Sequence, residues 1–173
     1  SSHTQTGVEV EPHPWGNLNA AMEAVPERGE VFLLQTGDDR STLSAVSSRG
    51  VRKSTLLPGL IWEAAWDSEN QSIWLGSMTE DQVFKVNADS LDYVSYTLPN
   101  GIREILPLGK GWVALADYLR AKVYLFDGEG IRKTIHVGRK PEAMAVGPSS
   151  GALYVLSDAG LTRIDLTRIL IEP

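Results

Sequence analysis

Four residues at near-even spacing constrain this chain more than any other feature. Phe32, Trp74, Val113 and Tyr154 follow one another at intervals of 42, 39 and 41 residues. Each lies in the second of several short apolar runs, and each run is closed by Gly, Asp, Asn or Ser. In the most complete copy the runs are Ile61–Trp66, Ser72–Gly76, Val83–Val86 and Tyr93–Leu98. Their β-branched and aromatic residues suit half-buried strands. A repeat near 40 residues with four short strands per copy is the sequence signature of a β-propeller blade.

The other copies follow the same order. Residues 17–59 form the first unit, with strands expected at Ala20–Val25, Glu30–Gln35, Leu43–Val46 and Arg52–Leu57. Residues 60–101 form the second. Residues 102–138 form the third, with strands at Glu104–Leu108, Gly111–Ala116, Lys122–Phe126 and Arg132–Val137. Residues 139–173 form the fourth, with strands at Ala143–Val146, Ala152–Leu156, Leu161–Asp165 and Thr167–Ile171. Residues 1–16 are an N-terminal tail containing one extra outer-strand pattern, Val8-Glu9-Val10-Glu11. The expected fold class is therefore all-β, a propeller of about four visible four-stranded blades, which either closes as a small ring or forms part of a larger or shared ring. A second copy or a partner chain would complete such a ring, because an open sheet edge invites pairing.

The 16 Lys and Arg against 22 Asp and Glu give a net charge of −6. No basic field is available to neutralise phosphates, so nucleic acid is not an expected partner. There is no cysteine, which removes disulfides, thiolate metal sites and a cysteine nucleophile. No apolar run reaches the length of a membrane span, so no membrane insertion is expected. A chain opening Ser1-Ser2-His3 reads as processed, which favours a soluble, exported location, periplasmic or extracellular. His3, His13 and His136 have no metal-ligand spacing.

Superposing the units brings four oxygen-bearing residues to one position. Asn19, Glu63, Glu104 and Glu142 open the innermost strands at spacings of 44, 41 and 38. In a propeller these strand starts face the central channel from one end. Carboxylates brought together there repel unless one is protonated or a cation lies between them. Oxygen-only ligands suit Ca²⁺, with Mg²⁺ or Mn²⁺ as weaker fits. The plain alternative is solvated Glu side chains at a channel mouth. The loops between second and third strands share that end. They offer Asp38, Asp39 and Arg40, then Glu80 and Asp81, then Asp117, Tyr118 and Arg120, then Asp158. With Trp15 and Trp62 nearby they make an acidic, aromatic face suited to binding. Trp66, Trp74 and Trp112 are expected to pack between blades.

Three segments carry resemblances to known families. Asp67–Val86, with Trp66-Asp67 and the Ile73-Trp74-Leu75 strand, resembles the lactonase-type propellers of the SMP-30/gluconolactonase group. Pro141–Ser157, PEAMAVGPSSGALYVLS, is similar to the YVTN-type repeat. Tyr96–Gly101, YTLPNG, resembles the streptogramin-lyase repeat. The lactonase resemblance implies a divalent metal held by a Glu and by Asn or Asp at such strand starts. Glu63 matches that Glu, whereas Glu104 and Glu142 stand where Asn is expected, and Ala64-Ala65 replaces the Gly-Pro that follows it. These patterns imply a fold shared by many activities. The expected function is a non-enzymatic scaffold that engages a protein or small molecule through its acidic, aromatic face. The alternatives are a divalent-metal-dependent lactonase-type hydrolase or lyase, and a scaffold piece of a larger propeller protein.

Overall fold

The computed structural model describes residues 19–37, 39–147 and 151–169, with backbone alone for Asn19 and Ala20. The extra strand pattern at Val8–Glu11, together with Trp15 and Asp38, lies outside the described residues.

Among the described residues, fifteen strands form four antiparallel sheets. The first contains β1 (Asn19–Val25), β2 (Glu30–Thr36), β3 (Arg40–Ser47) and β4 (Gly50–Pro58). The second contains β5 (Ile61–Asp67), β6 (Ser72–Ser77), β7 (Gln82–Asn87) and β8 (Tyr93–Thr97). The third contains β9 (Ile102–Gly109), β10 (Trp112–Asp117), β11 (Lys122–Phe126) and β12 (Ile131–His136). The fourth contains β13 (Ala143–Val146), β14 (Ala152–Ser157) and β15 (Gly160–Asp165). Each sheet is a meander in which neighbours in sequence are neighbours in space. The first strands lie innermost, with β5 contacting both β1 and β9, and β9 also contacting β13.

The expected fourth strand of the last sheet, Thr167–Ile171, is not formed over its described part. Residues 167–169 turn instead, and the Ile169 N–H bonds the Leu166 carbonyl at 3.1 Å. Asp165 captures both the Thr167 N–H and its hydroxyl. A hairpin cannot close directly from Asp165 to Thr167, so the local Asx turn wins.

Alternation along the second strands explains how the blades stack. On β6, Ile73 and Leu75 face the first sheet, packing with Phe32, Leu34 and Leu43. Trp74 points the other way and packs with Ile105, Val113 and Leu115 of the third sheet. On β10, Ala114 and Ala116 turn from that cluster towards Met144, Leu153 and Val155 of the fourth. Every residue of β6 is buried for this reason. Trp66 and Trp112 are partly buried at the first and third of these junctions.

Polar clamps reinforce the junctions. Arg52 donates to the Ala88 and Asp89 carbonyls of the second sheet and pairs with Glu30 at 2.6 Å. Arg28 joins Glu30 to Asp89 at the same end.

Three hydrophobic clusters thus join four sheets in a row. A closed ring of four would need a fourth cluster. Among the described residues none joins the first sheet to the last, so the array is an open arc.

Candidate functional site

The inner-strand starts and the loops between second and third strands lie at one end of the arc. Register fixes this, because Asn19 pairs with Thr36, Ile61 with Ser77, Ala143 with Leu156, and Ile102 with Asp117.

At that end two inner strands bulge. In β5, Ile61 opposes Ser77 and Ala64 opposes Leu75, so Trp62 and Glu63 together face Gly76 alone. In β9, Ile102 opposes Asp117 and Glu104 opposes Ala116, which leaves Arg103 as the extra residue. Bulges re-aim side chains locally. Here the three re-aimed residues meet. The Arg103 guanidinium lies 4.8 Å from the centre of the Trp62 ring. The same guanidinium pairs with Glu63 Oε1 at 3.4 Å. Together with Met22, Thr36 and Ile61 they line a cavity of about 300 Å³. Trp62 remains 41% exposed and Met22 73%. The Thr36 hydroxyl donates to the Ile61 carbonyl and ties the cavity floor to the first sheet.

Carboxylates crowd this end of the channel. Burial pushes the Glu104 carboxyl up to about 7, and the negative charge of Glu63 adds to the rise, with a smaller contribution from Glu23. Burial also raises Glu23, again with Glu63 contributing. Glu142 is exposed and is not among the charges acting on Glu104. The side chain of Asn19 lies outside the description. Among the described residues no three His, Asp or Glu converge closely enough to hold a metal ion. The structure therefore brings Glu63 and Glu104 together, adds Glu23 and Arg103, and leaves Glu142 apart.

Glu104 has a measurable consequence. Its folded value lies above the ordinary 4.5, so the folded state retains a proton that the unfolded chain releases between pH 4.5 and 7. Its contribution to stability is present in acid and lost as pH rises through that window. The full shift would correspond to about 3 kcal/mol, and screening at a half-buried group reduces this to about 1–2 kcal/mol. Glu104→Gln is expected to match the parent at pH 4 and to exceed it by that margin at pH 8 in chemical denaturation. Equal differences at both pH values would contradict the shift.

The loop residues divide into two groups. Asp39 and Arg40 are exposed and paired with each other at 3.5 Å, and Glu80 is exposed as well. Asp81 accepts the Asn100 N–H, and Asp158 pairs with Arg139 at 3.1 Å. These can meet a partner. Asp117 cannot, because it is fully buried. Its oxygens accept from the Leu119 and Arg120 N–H groups, the Arg120 guanidinium and the Tyr124 hydroxyl. Arg120 also donates to the carbonyl and side chain of Asn100. Asp117 and Arg120 thus hold the blade junction, and the half-buried Tyr118 lies between them.

Arg103 was not legible as a site residue from composition. The signal was nevertheless present, since the alignment of Glu63 with Glu104 also aligns Trp62 with Arg103.

Neither a family model nor a curated protein sequence matches this chain. Solved structures do. It resembles Kuenenia stuttgartiensis hydrazine synthase at TM-score 0.72 and 14% identity, over 96% of this chain and 50% of that one. It resembles the dihydro-heme d1 dehydrogenase NirN at TM-score 0.67 and 14% identity, over 88% of this chain and 35% of that one. It resembles streptogramin B lyase at TM-score 0.63 and 14% identity, over 85% of this chain and 54% of that one. The four stacked meanders and these matches decide the architecture.

The chain is an arc of a β-propeller.

It spans about half or less of the length of these propeller chains. Their named activities differ from one another, so the likeness carries the fold alone. Among the described residues of the arc, no helix is long and apolar enough to cross a membrane.

Proposed function

We propose that this propeller arc is a non-enzymatic binding module, whose ligand enters the inner-strand mouth at Trp62, Glu63 and Arg103. The observation that supports this reading is the pair of bulges. Two strands break register at the same end, and the side chains released by both breaks line one cavity of about 300 Å³. That volume is at the lower end of small-ligand pockets. The exposed loop acids Asp39, Glu80, Asp81 and Asp158 lie at the same end of the arc and would contact a protein partner or a larger ligand. An aromatic plate, a guanidinium and a carboxylate would fix the orientation of a bound ligand.

The test is a fragment screen by saturation-transfer NMR, using small amines, carboxylates and sugars. Fragments bound by the parent chain should be lost in Trp62→Ala and at least tenfold weaker in Arg103→Ala. A screen with no hits, or hits indifferent to both substitutions, would count against the reading.

A second reading, a divalent-metal-dependent lactonase-type hydrolase or lyase, has one observation in its favour: the Glu63 carboxylate lies close enough to Glu104 to add to the rise of its carboxyl that burial begins. A thermal shift with Ca²⁺ or Mn²⁺ that disappears in Glu63→Gln would support it. No shift with either ion would reject it. The third reading, a scaffold piece of a larger propeller, is favoured by the open arc itself.

A further inference from the structure

Two guanidinium groups at the inner-strand end of the arc are used very differently. Arg120 donates to the Asn100 carbonyl at 2.7 Å, to the Asn100 side chain at 2.9 Å and to Asp117 at 3.1 Å. The Arg103 side chain is only 26% exposed, yet among the described residues its one hydrogen-bond acceptor is Glu63 Oε1 at 3.4 Å. Well-formed bonds between a guanidinium and a carboxylate are about 2.7–2.9 Å long, so this contact is loose. The Trp62 ring, its centre 4.8 Å away, holds the guanidinium by its flat face. Stacking of that kind leaves the N–H groups in the plane of the fork, where they suit the two oxygens of a carboxylate. Donors withdrawn from water and weakly bonded are costly. An acceptor entering the cavity would relieve that cost.

The surrounding charge disfavours a simple anion as that acceptor. The negative charge of Glu63 acts on both Glu23 and Glu104, and that of Glu23 acts on Glu104. Three carboxyl groups therefore share this place with one guanidinium. A lone carboxylate would be attracted by Arg103 and repelled by Glu63. A lone amine would be attracted by Glu63 and repelled by Arg103. A ligand with both charges gains both attractions. Because Arg103 and Glu63 already touch, the two charges of the ligand must be adjacent, as they are across the α-carbon of an amino acid. Ala21, Ile61 and Trp62 supply apolar lining for a short hydrocarbon side chain within the cavity of about 300 Å³. These walls lie within the arc, where β5 contacts β1, β2 and β9.

We propose that the ligand taken at this mouth is a compact zwitterion, an α-amino acid with a short apolar side chain, whose carboxylate bridges the Arg103 fork and whose ammonium meets Glu63. This rests on the reading of the mouth as a binding site and adds the chemical class of its ligand. The ligand parts the loose Arg103–Glu63 pair and gives each group a closer partner. Trp62 keeps the guanidinium in place, and Glu23 and Glu104 add attraction for the ammonium.

The test is titration calorimetry of the parent chain with alanine, valine and leucine, each compared with its amide and its N-acetyl form. The amide keeps the ammonium and lacks the carboxylate, and the N-acetyl form does the reverse. At least one free amino acid is expected to bind, with both of its blocked forms at least tenfold weaker. Arg103→Ala should leave that amino acid no tighter than its amide, and Glu63→Gln should reduce the discrimination against its N-acetyl form. The comparison of ligands needs no substitution, so a loss of folding cannot imitate it. Equal binding of the three forms, or binding of a blocked form alone, would overturn the zwitterion. If such binding still vanished in Trp62→Ala, the mouth would stand as a site for another class of ligand. No binding by any of the free amino acids would also overturn the proposal, and fragment hits that persist in Trp62→Ala would overturn the mouth itself.

Discussion

Asp117→Ala is expected to cost about 3–5 kcal/mol, the loss typical of breaking a buried, hydrogen-bonded charge network. Asp117 is fully buried at the end of β10, and four donors converge on its two oxygens. Deleting the carboxylate strands the buried Tyr124 hydroxyl and leaves two part-buried loop N–H groups without their acceptor. It also frees the Arg120 guanidinium, which bonds the Asn100 carbonyl at 2.7 Å and so holds the segment leading into β9. Tyr124 supplies a second readout. Burial, with donation to Asp117 behind it, pushes its phenol up to about 12. Asp117→Asn keeps the shape but removes the charge, so the phenol should titrate at lower pH in an ultraviolet titration while the fold survives. An alanine variant within 1 kcal/mol of the parent (a surface-like value) would refute the network's importance.

Gly76→Ala is expected to destabilise by up to about 3 kcal/mol, as overpacking does in a filled core. A Cβ on Gly76 would lie 2.3 Å from Ile102 Cγ2. Ile102 is buried and opens β9, immediately before Arg103. Relief therefore requires moving the strand start that positions the guanidinium over Trp62. The substitution should weaken fragment binding at the channel mouth as well as lowering the melting temperature. A variant that loses stability but binds normally would show that Ile102 yields without carrying Arg103 with it.

The period near 40 residues and the turn chemistry made the sheets legible from sequence. β6, β7, β10 and β11 lie within two residues of their expected bounds, because alternation and Gly or Asp turns both mark them. The last sheet was over-read at 167–169, where apolar residues follow Asp165 but no turn length permits a hairpin. The candidate site was only partly legible. Superposition of repeats found Glu63 and Glu104, since position in a unit survives any local irregularity. It could not find the bulges, because an extra residue in one strand is defined by the partner strand it fails to pair with. It also placed Asp117 on the accessible face, although a carboxylate at a loop start can turn inwards when an aromatic hydroxyl seven residues later awaits it. Asp67 does the same with the Trp74 indole N–H at 3.1 Å.

The three separate clusters between sheets have a consequence for cooperativity. Each blade borrows stability from its immediate neighbours alone, so the arc behaves as a short one-dimensional lattice with nearest-neighbour coupling. Among the described residues the two middle blades are coupled on both sides and the two outer ones on one. Unfolding in such a lattice begins as fraying from its ends. A ring has no ends, so closing such an arc with any further blades would do more than add contact area: it would couple every blade on both sides and remove the sites from which unfolding spreads.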